Sequence, residues 1–461
     1  MRTRAILRTS AALWTAPVWV GIVVFYFFHA LHLTRPYAEL VDGPLWAPQQ
    51  VHVALLYFYA FSYAIACGLA AWDGGRLKRD RVWELAPGRS RYRVAAVALA
   101  PSVAAGWLIL LLPVAMRLVE TRLVPTPASL LPLAMGMGIV CAYAVVGCAL
   151  GHIAPPLIAA PLSAVAVFYA VAKTGAYSDP VWPRHVSGQL DTSAAFGEQF
   201  SASAVLVPFL FAAAPALAVA AWWAGDGRRP WRTAAPPAAL AVMALCVRIA
   251  SDWPVAGAPV TAGHAPARCT GSAPRVCMAK TGGAVEDLDT VGREIATSLR
   301  RLEAAGVDVT VPTTVTDSLL YERELTRPPS TGATWWLPLT AEADRPDGDL
   351  AGIRHAVLLH SVSFPCAFPT ALVPGASADW IVNHDAAVLW AAYEVGAQKP
   401  YLAWRTAEYG QLANGGEVLA KVRERAAKGR ALPTAGQRTA WFEQEQAKAC
   451  RLVPEPPAGR S

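Results

Sequence analysis

The sequence predicts an α-helical polytopic membrane bundle of six to seven transmembrane helices, followed by an α+β soluble domain with a helical C-terminal part. Three observations carry that reading. Apolar runs about as long as a bilayer is thick succeed one another through the first half of the 461 residues. Between two of them lies the charged stretch Trp72–Arg93, with seven Lys/Arg against three Asp/Glu. Past residue 254 the composition changes: residues 1–254 hold 19 Lys/Arg and 11 Asp/Glu, residues 255–461 hold 21 and 22, so the net charge of +7 resides in the first half. The division predicts a transmembrane domain over 1–250, a linker over 251–268 and an extracytoplasmic domain over 269–461.

The N-terminal tail carries Arg2, Arg4 and Arg8 ahead of an apolar run, Leu13–Leu33. A signal peptide shares these features, but the run is long enough to span and no small-residue cleavage site closes it, so a retained helix is expected. Further spans are expected at Val51–Ala71, Val94–Val119, Ala128–Leu150, Ile153–Ala172, Ser203–Ala224 and the short Ala234–Ala250.

Charged side chains in hydrocarbon cost about 2.5–3.5 kcal/mol each, so Trp72–Arg93 is expected to be a loop at a membrane face, and its cationic excess makes that face cytoplasmic. Segments on that side then hold thirteen Lys/Arg, against five (Arg35, Arg117, Arg122, Lys173 and Arg184) in the outer loops before the last span. Seven spans with the N-terminus inside place residues 251–461 outside. Trp14, Trp46, Trp72, Tyr92, Trp182, Trp222, Trp223 and Trp231 lie near the span ends as interfacial belts do.

Prolines inside several spans and the small residues Gly136, Gly138, Gly147 and Gly151 point to a tightly packed bundle. Ionisable groups deep in the spans are almost absent, which disfavours ion-coupled transport. The outer loop Lys173–Ala202 is long enough to hold short helices.

The linker, PVAGAPVTAGHAPA, leads into RCTGSAPRVC, a turn-rich segment suited to a hairpin closed by Cys269–Cys277. Glu286–Ala305 reads as an amphipathic helix stopped by Gly306, and VDVTVP, ATWWLPL and HAVLLHSV read as strands. Helices are expected at Ala378–Val395, Gly416–Lys428 and Gly436–Cys450. Cys67, Cys141, Cys148 and Cys246 sit in apolar runs as small hydrophobes. Four cysteines in an exported domain suggest two disulfides, and of the three connectivities Cys269–Cys277 with Cys366–Cys450 is expected: a turn heptapeptide joins the first pair, and the second ties the helical part to the strands.

Known chemistry finds little support. There is no P-loop, H-E-x-x-H or G-x-S-x-G, so no catalytic residue, metal or cofactor is expected and the chain is not read as an enzyme. His355 and His360 would face opposite sides of a strand, Asp344, Asp347 and Asp349 read as a solvated turn, and His384–Asp385 as a helix cap. No basic stripe interleaves with aromatics, which disfavours nucleic acid.

The stretch DGGRLKRDRVWELAPGRSRYR resembles the cytoplasmic loop between the second and third helices of ABC-2-type export permeases, and Leu85-Ala-Pro-Gly-Arg-Ser-Arg91 stands where that family has a Leu-x-x-x-Pro-x-Ser-Arg-like turn. With the helix spacing, the resemblance covers roughly residues 1–225. It implies a docking loop (Arg76, Lys78, Arg79, Arg81, Pro87, Arg89 and Arg91) for a separate ABC ATPase subunit, and a homo- or heterodimer in the lipid bilayer. A seventh span and a large outer domain depart from the minimal six-helix form. The rival reading is a non-transporting, membrane-anchored extracytoplasmic binding or sensing protein, with Trp335, Trp336, Trp380, Trp390, Trp404 and Trp441 lining a groove or, in the simpler reading, filling a core.

Overall fold

The computed structural model describes residues 10–29, 46–82, 90–175, 180–190, 195–223, 231–254, 259–261, 263–280, 288–320, 330–340, 350–366, 379–410 and 414–452. The chain is mostly helical and divides into two compact units, Met1–His264 and Ala265–Ser461.

In the first unit the expected N-terminal span is interrupted. Helix α1 (Ala11–Trp14) is capped by Ser10, whose hydroxyl accepts from the Ala12 N–H at 3.2 Å. Pro17 cannot donate, so the chain restarts at Thr15 as α2 (Ala16–Phe28). Thirteen residues rise only about 20 Å, short of the roughly 30 Å hydrocarbon core. Residues 30–45 lie outside the described residues.

The second span also differs from expectation. It is a pair, α3 (Ala47–Leu56) and α4 (Tyr59–Arg79), bent by 52° at Tyr57–Phe58. The bend coincides with three successive aromatics that take different neighbours: Phe58 and Tyr59 are buried, and Tyr57 meets the Tyr26 ring edge-on. Helix α4 then runs on through Trp72–Arg79, which the charge pattern assigns to a loop. Helix hydrogen bonds satisfy that backbone, and Gly74 and Gly75 keep the helix narrow where its neighbours press closest.

Five further helices are long and apolar enough to cross a membrane: α5 (Arg91–Thr121), α6 (Leu131–Ile153), α7 (Pro156–Thr174), α9 (Ala202–Trp223) and α10 (Trp231–Ser251), where the last qualifies from Arg232. With the bent pair the described residues offer up to six spans. A five-residue helix, α8 (Trp182–Val186), lies in the loop before α9. Helix α4 is central, packing on α5, α6 and α7. Outward faces stay apolar (Leu157, Leu162 and Val165 on α7; Leu240 and Leu245 on α10), as bilayer contact requires. Part of the expected linker is ordered: β2 (Val260–Thr261) pairs antiparallel with β1 (Gln199–Phe200).

In the second unit β3 (Ala267–Thr270) and β4 (Arg275–Ala279) form an antiparallel hairpin with Cys269 opposite Cys277. Parallel strands β5 (Thr314–Asp317) and β6 (Thr334–Leu337) extend the sheet in the order β3-β4-β5-β6. The crossover is α11 (Leu288–Ala304), whose Leu288, Val291, Ile295, Leu299 and Leu302 are all buried, and Gly306 ends it at φ +83°. The cysteines stand in disulfides Cys269–Cys277 and Cys366–Cys450, the pairing expected from the sequence.

Two strand assignments are corrected. VDVTVP has no regular structure, and the strand begins beyond Pro312, which has no N–H for a ladder. HAVLLHSV belongs to helix α12 (Ala351–Ser361). An apolar run this short has no decisive period. Here Gly352, Ile353, Ala356, Val357 and Ser361 share the buried face, and Arg354 anchors the first turn to Glu294 and to the Gly396 carbonyl.

Beyond it lie α13 (Asp379–Val395), α14 (Gln398–Tyr409), α15 (Gly415–Arg430) and α16 (Ala435–Leu452), with α13 packed on each of the others. Helix α14 was not expected, because Pro400 masks its start. His384–Asp385 lies inside α13 rather than capping it, and Asp385 is fully buried.

Candidate functional site

The cations of the expected docking loop gather at one end of the first unit. Arg76, Lys78 and Arg79 occupy the last turn of α4, where positive charge complements the helix dipole. Arg81 follows at φ +47°, and Arg91 and Arg93 stand in the first turn of α5. A cation at a helix N-terminus opposes the dipole, at a cost of about 0.3–1 kcal/mol. Helix stability therefore does not account for those two arginines. Pro87 and Arg89 lie outside the described residues.

Polar bonds hold this end together. Lys78 Nζ donates to the His152 carbonyl at 2.7 Å, capping the end of α6. Tyr92 Oη donates to the Ala220 carbonyl at 2.7 Å, tying the start of α5 to the end of α9. Arg232, opening α10, lies 5.9 Å from the Trp222 ring. One turn inward, Ser102 Oγ donates to Asp73 Oδ2 at 2.8 Å, joining α4 to α5. Three helix ends and two helix starts thus converge on a rim where Lys78, Arg79, Arg81, Arg91 and Arg93 are exposed, and Asp80 is the rim's exposed carboxylate among the described residues.

The rim's spacing is set by glycines at the α4–α6 crossing. A Cβ on Gly147 would lie 2.2 Å from the Cys67 carbonyl oxygen, and one on Gly151 only 1.9 Å from that of Ala71. From the other side, a Cβ on Gly74 would meet the Cys148 carbonyl oxygen at 2.4 Å. Only backbones without side chains can come this close.

At the opposite end two arginines are paired with carboxylates. Arg117, assigned to an outer loop by charge counting, lies inside α5 and is buried. Its Nε donates to Gln50 Oε1 at 2.8 Å and its Nη1 pairs with Glu120 at 3.0 Å. Arg248 pairs with Asp252, His52 meets the Leu190 carbonyl, and Trp46 Nε1 donates to the Glu198 carbonyl at 2.8 Å. Beside the break in the α3–α4 pair lies a half-open cavity of about 210 Å³, walled by Tyr26, Tyr57, Phe61 and Phe168 with Arg184 and Gln189 among its lining residues. Sequence reasoning missed this cavity, since its walls come from four separate segments.

In the second unit the tryptophans divide. Trp335, Trp380 and Trp390 are buried in the core, while Trp404 is 40% exposed and carries the Arg405 guanidinium 4.1 Å above its ring. Asp385 accepts from Arg405 Nη2 and His384 Nδ1, each at 2.7 Å, and from the Tyr409 hydroxyl. Burial, with the Asp385 carboxylate adjoining, pushes both Tyr401 and Tyr409 hydroxyls well above their usual range. This cluster is a buried, satisfied anchor between α13 and α14. His355 and His360 both lie on α12. Asp344, Asp347 and Asp349 fall outside the described residues, and among those described no group of three or more His, Cys, Asp or Glu could hold a metal ion.

Comparison of the chain with protein-family models, with curated proteins and with solved structures found no match.

Proposed function

We propose that this chain is the permease-like membrane subunit of an ATP-driven exporter of the ABC-2 type, working with a separate ATPase subunit as a homo- or heterodimer. The observation that carries the proposal is the rim of exposed cations, Lys78, Arg79, Arg81, Arg91 and Arg93, held at the converging ends of a helical bundle. Cationic rims face the cytoplasm, where an ATPase would meet them. The second unit then lies outside, and its two disulfides suit an oxidising compartment. The aromatic cavity beside the broken span gives an apolar substrate a place to enter the bundle from the lipid.

Reversing Arg79, Arg81, Arg91 and Arg93 to Glu tests docking. The variant is expected to lose co-purification with its ATPase, while replacement by Lys retains it. A correctly oriented Glu variant that still binds the ATPase defeats the docking role. Reporter fusions after residue 260 test the orientation, and cytoplasmic activity there would place the second unit inside. A membrane-anchored binding protein is the second reading, favoured by a charged cavity in the second unit.

A further inference from the structure

That cavity measures about 250 Å³ and lies between the last turn of α11, the C-terminal half of α13 and the first turn of α16. Arg301, Trp390, Glu394 and Arg438 line it, with small alanines between. Trp390 and Glu394 are four residues apart on α13 and so share a face. The frame is rigid. Thr439 Oγ1 donates to the Ala305 carbonyl at 2.9 Å, and a Cβ on Gly306 would run into the Thr439 side chain at 2.4 Å. The Trp390 ring packs against Phe442, with centroids 5.2 Å apart.

Its charges are left over by the fold. Elsewhere in the unit buried or half-buried arginines pair with carboxylates: Arg354 with Glu294, Arg405 with Asp385. Arg301, which is exposed, and the half-buried Glu394 and Arg438 line one cavity, and none of them forms an ion pair with any described residue. Among the described residues Arg438 donates only to the Leu432 carbonyl, at 3.2 Å. Trp390 is 1% exposed, and its indole N–H has no hydrogen-bond partner among the described residues. The indole N–H is closed off from solvent, so it is the ring of Trp390 that walls the cavity.

We propose that this cavity binds a small zwitterion of the α-amino acid class. Arg301 and Arg438 take the carboxylate, and Glu394 takes the ammonium group. Two cations and one carboxylate match a ligand that carries both signs on adjacent atoms, and a guanidinium is suited to hold a carboxylate bidentately. The volume exceeds the roughly 150 Å³ cavity that accommodates benzene, so a side chain of moderate size is admitted. The inference holds whether or not the first unit transports.

The test is equilibrium binding of a panel of radiolabelled L-amino acids to the full chain in lipid nanodiscs. Saturable binding of at least one, with Kd below about 1 mM, is expected. Arg438→Gln and Glu394→Gln should each weaken it about tenfold. Size exclusion and an intact Cys366–Cys450 bridge show that each variant is folded. No saturable binding by the native chain at about 10 mM overturns the proposal. So does an affinity that Arg438→Gln and Glu394→Gln leave unchanged, or propionate binding as tightly as alanine, which would mark a plain anion site.

Discussion

Gly151→Ala at the α4–α6 crossing is the most direct probe of how the bundle sets its basic rim. The added methyl would lie 1.9 Å from the Ala71 carbonyl oxygen and 2.9 Å from the Gly75 nitrogen. A carbon and an oxygen need about 3.2 Å or more, so the two backbones must part by roughly 1.3 Å. Overpacking of this kind typically costs 1–3 kcal/mol, offset by about 1 kcal/mol of helix propensity gained on replacing Gly. Gly21→Ala is the control: its Cβ would meet nothing within 4 Å, so it keeps the propensity gain without the clash. Thermal unfolding in a mild detergent should rank Gly151→Ala below the native chain and Gly21→Ala at or above it. At roughly 2–4 °C per kcal/mol, the two variants should differ by several degrees. Parting α4 from α6 also stretches the 2.7 Å bond from Lys78 to the His152 carbonyl, so the proposed docking role requires any ATPase association to fall with stability. Equal midpoints for the two alanine variants would refute the close-crossing argument.

Three further outcomes are expected. Cys366→Ser, which opens a closure of 84 residues, should destabilise the second unit by about 4–5 kcal/mol, whereas Cys269→Ser, closing only 8, should cost about 2–3 kcal/mol by the same chain-entropy estimate; denaturant titration of both variants measures the difference. Tyr401 and Tyr409 ionise in the unfolded chain near their ordinary value of 10.0 but higher in the folded one. The folded state therefore holds more protons above pH 10, and its stability is full below that pH and lost as pH rises beyond it; tyrosinate absorbance near pH 10 in the folded chain that Tyr401→Phe or Tyr409→Phe removes would contradict this. Arg117→Leu leaves the buried Gln50 side-chain carbonyl without its Arg117 donor and should cost about 1–3 kcal/mol in unfolding assays, whereas a loss below about 1 kcal/mol would mean that the charge is solvated as in an outer loop.

Hydropathy and charge are summed along the chain, and what depends on such sums was legible in advance. The apolar runs located α5, α6, α7, α9 and α10. The break in composition near residue 254 anticipated a second unit, and the turn-rich heptapeptide anticipated the Cys269–Cys277 hairpin. The cations of the rim lie in the stretch singled out from sequence, whereas the bonding of Tyr92 to Ala220 and of Arg232 over Trp222 that assembles it was not foreseen. The amphipathic period of α11 was clear because five apolar residues fall on one face.

Other features depend on which distant atoms a segment meets. Trp72–Arg79 reads as a loop by charge, yet it is helical because Gly74 lets α4 pass against the backbone of α6. HAVLLHSV is apolar enough for either state, and became a helix once Arg354 could reach Glu294 on α11 and the Gly396 carbonyl beyond α13. Arg117 is admitted to the interior of α5 only because Gln50 of α3 comes to meet it. The cavity around Trp390 is assembled from residues 301, 390, 394 and 438, which no local pattern links. The sequence by itself determined which stretches avoid water and where cations collect. Only the tertiary structure decided which helices touch, because a contact between residues far apart in the chain is set by backbone approach and partner geometry, and neither is written in local composition.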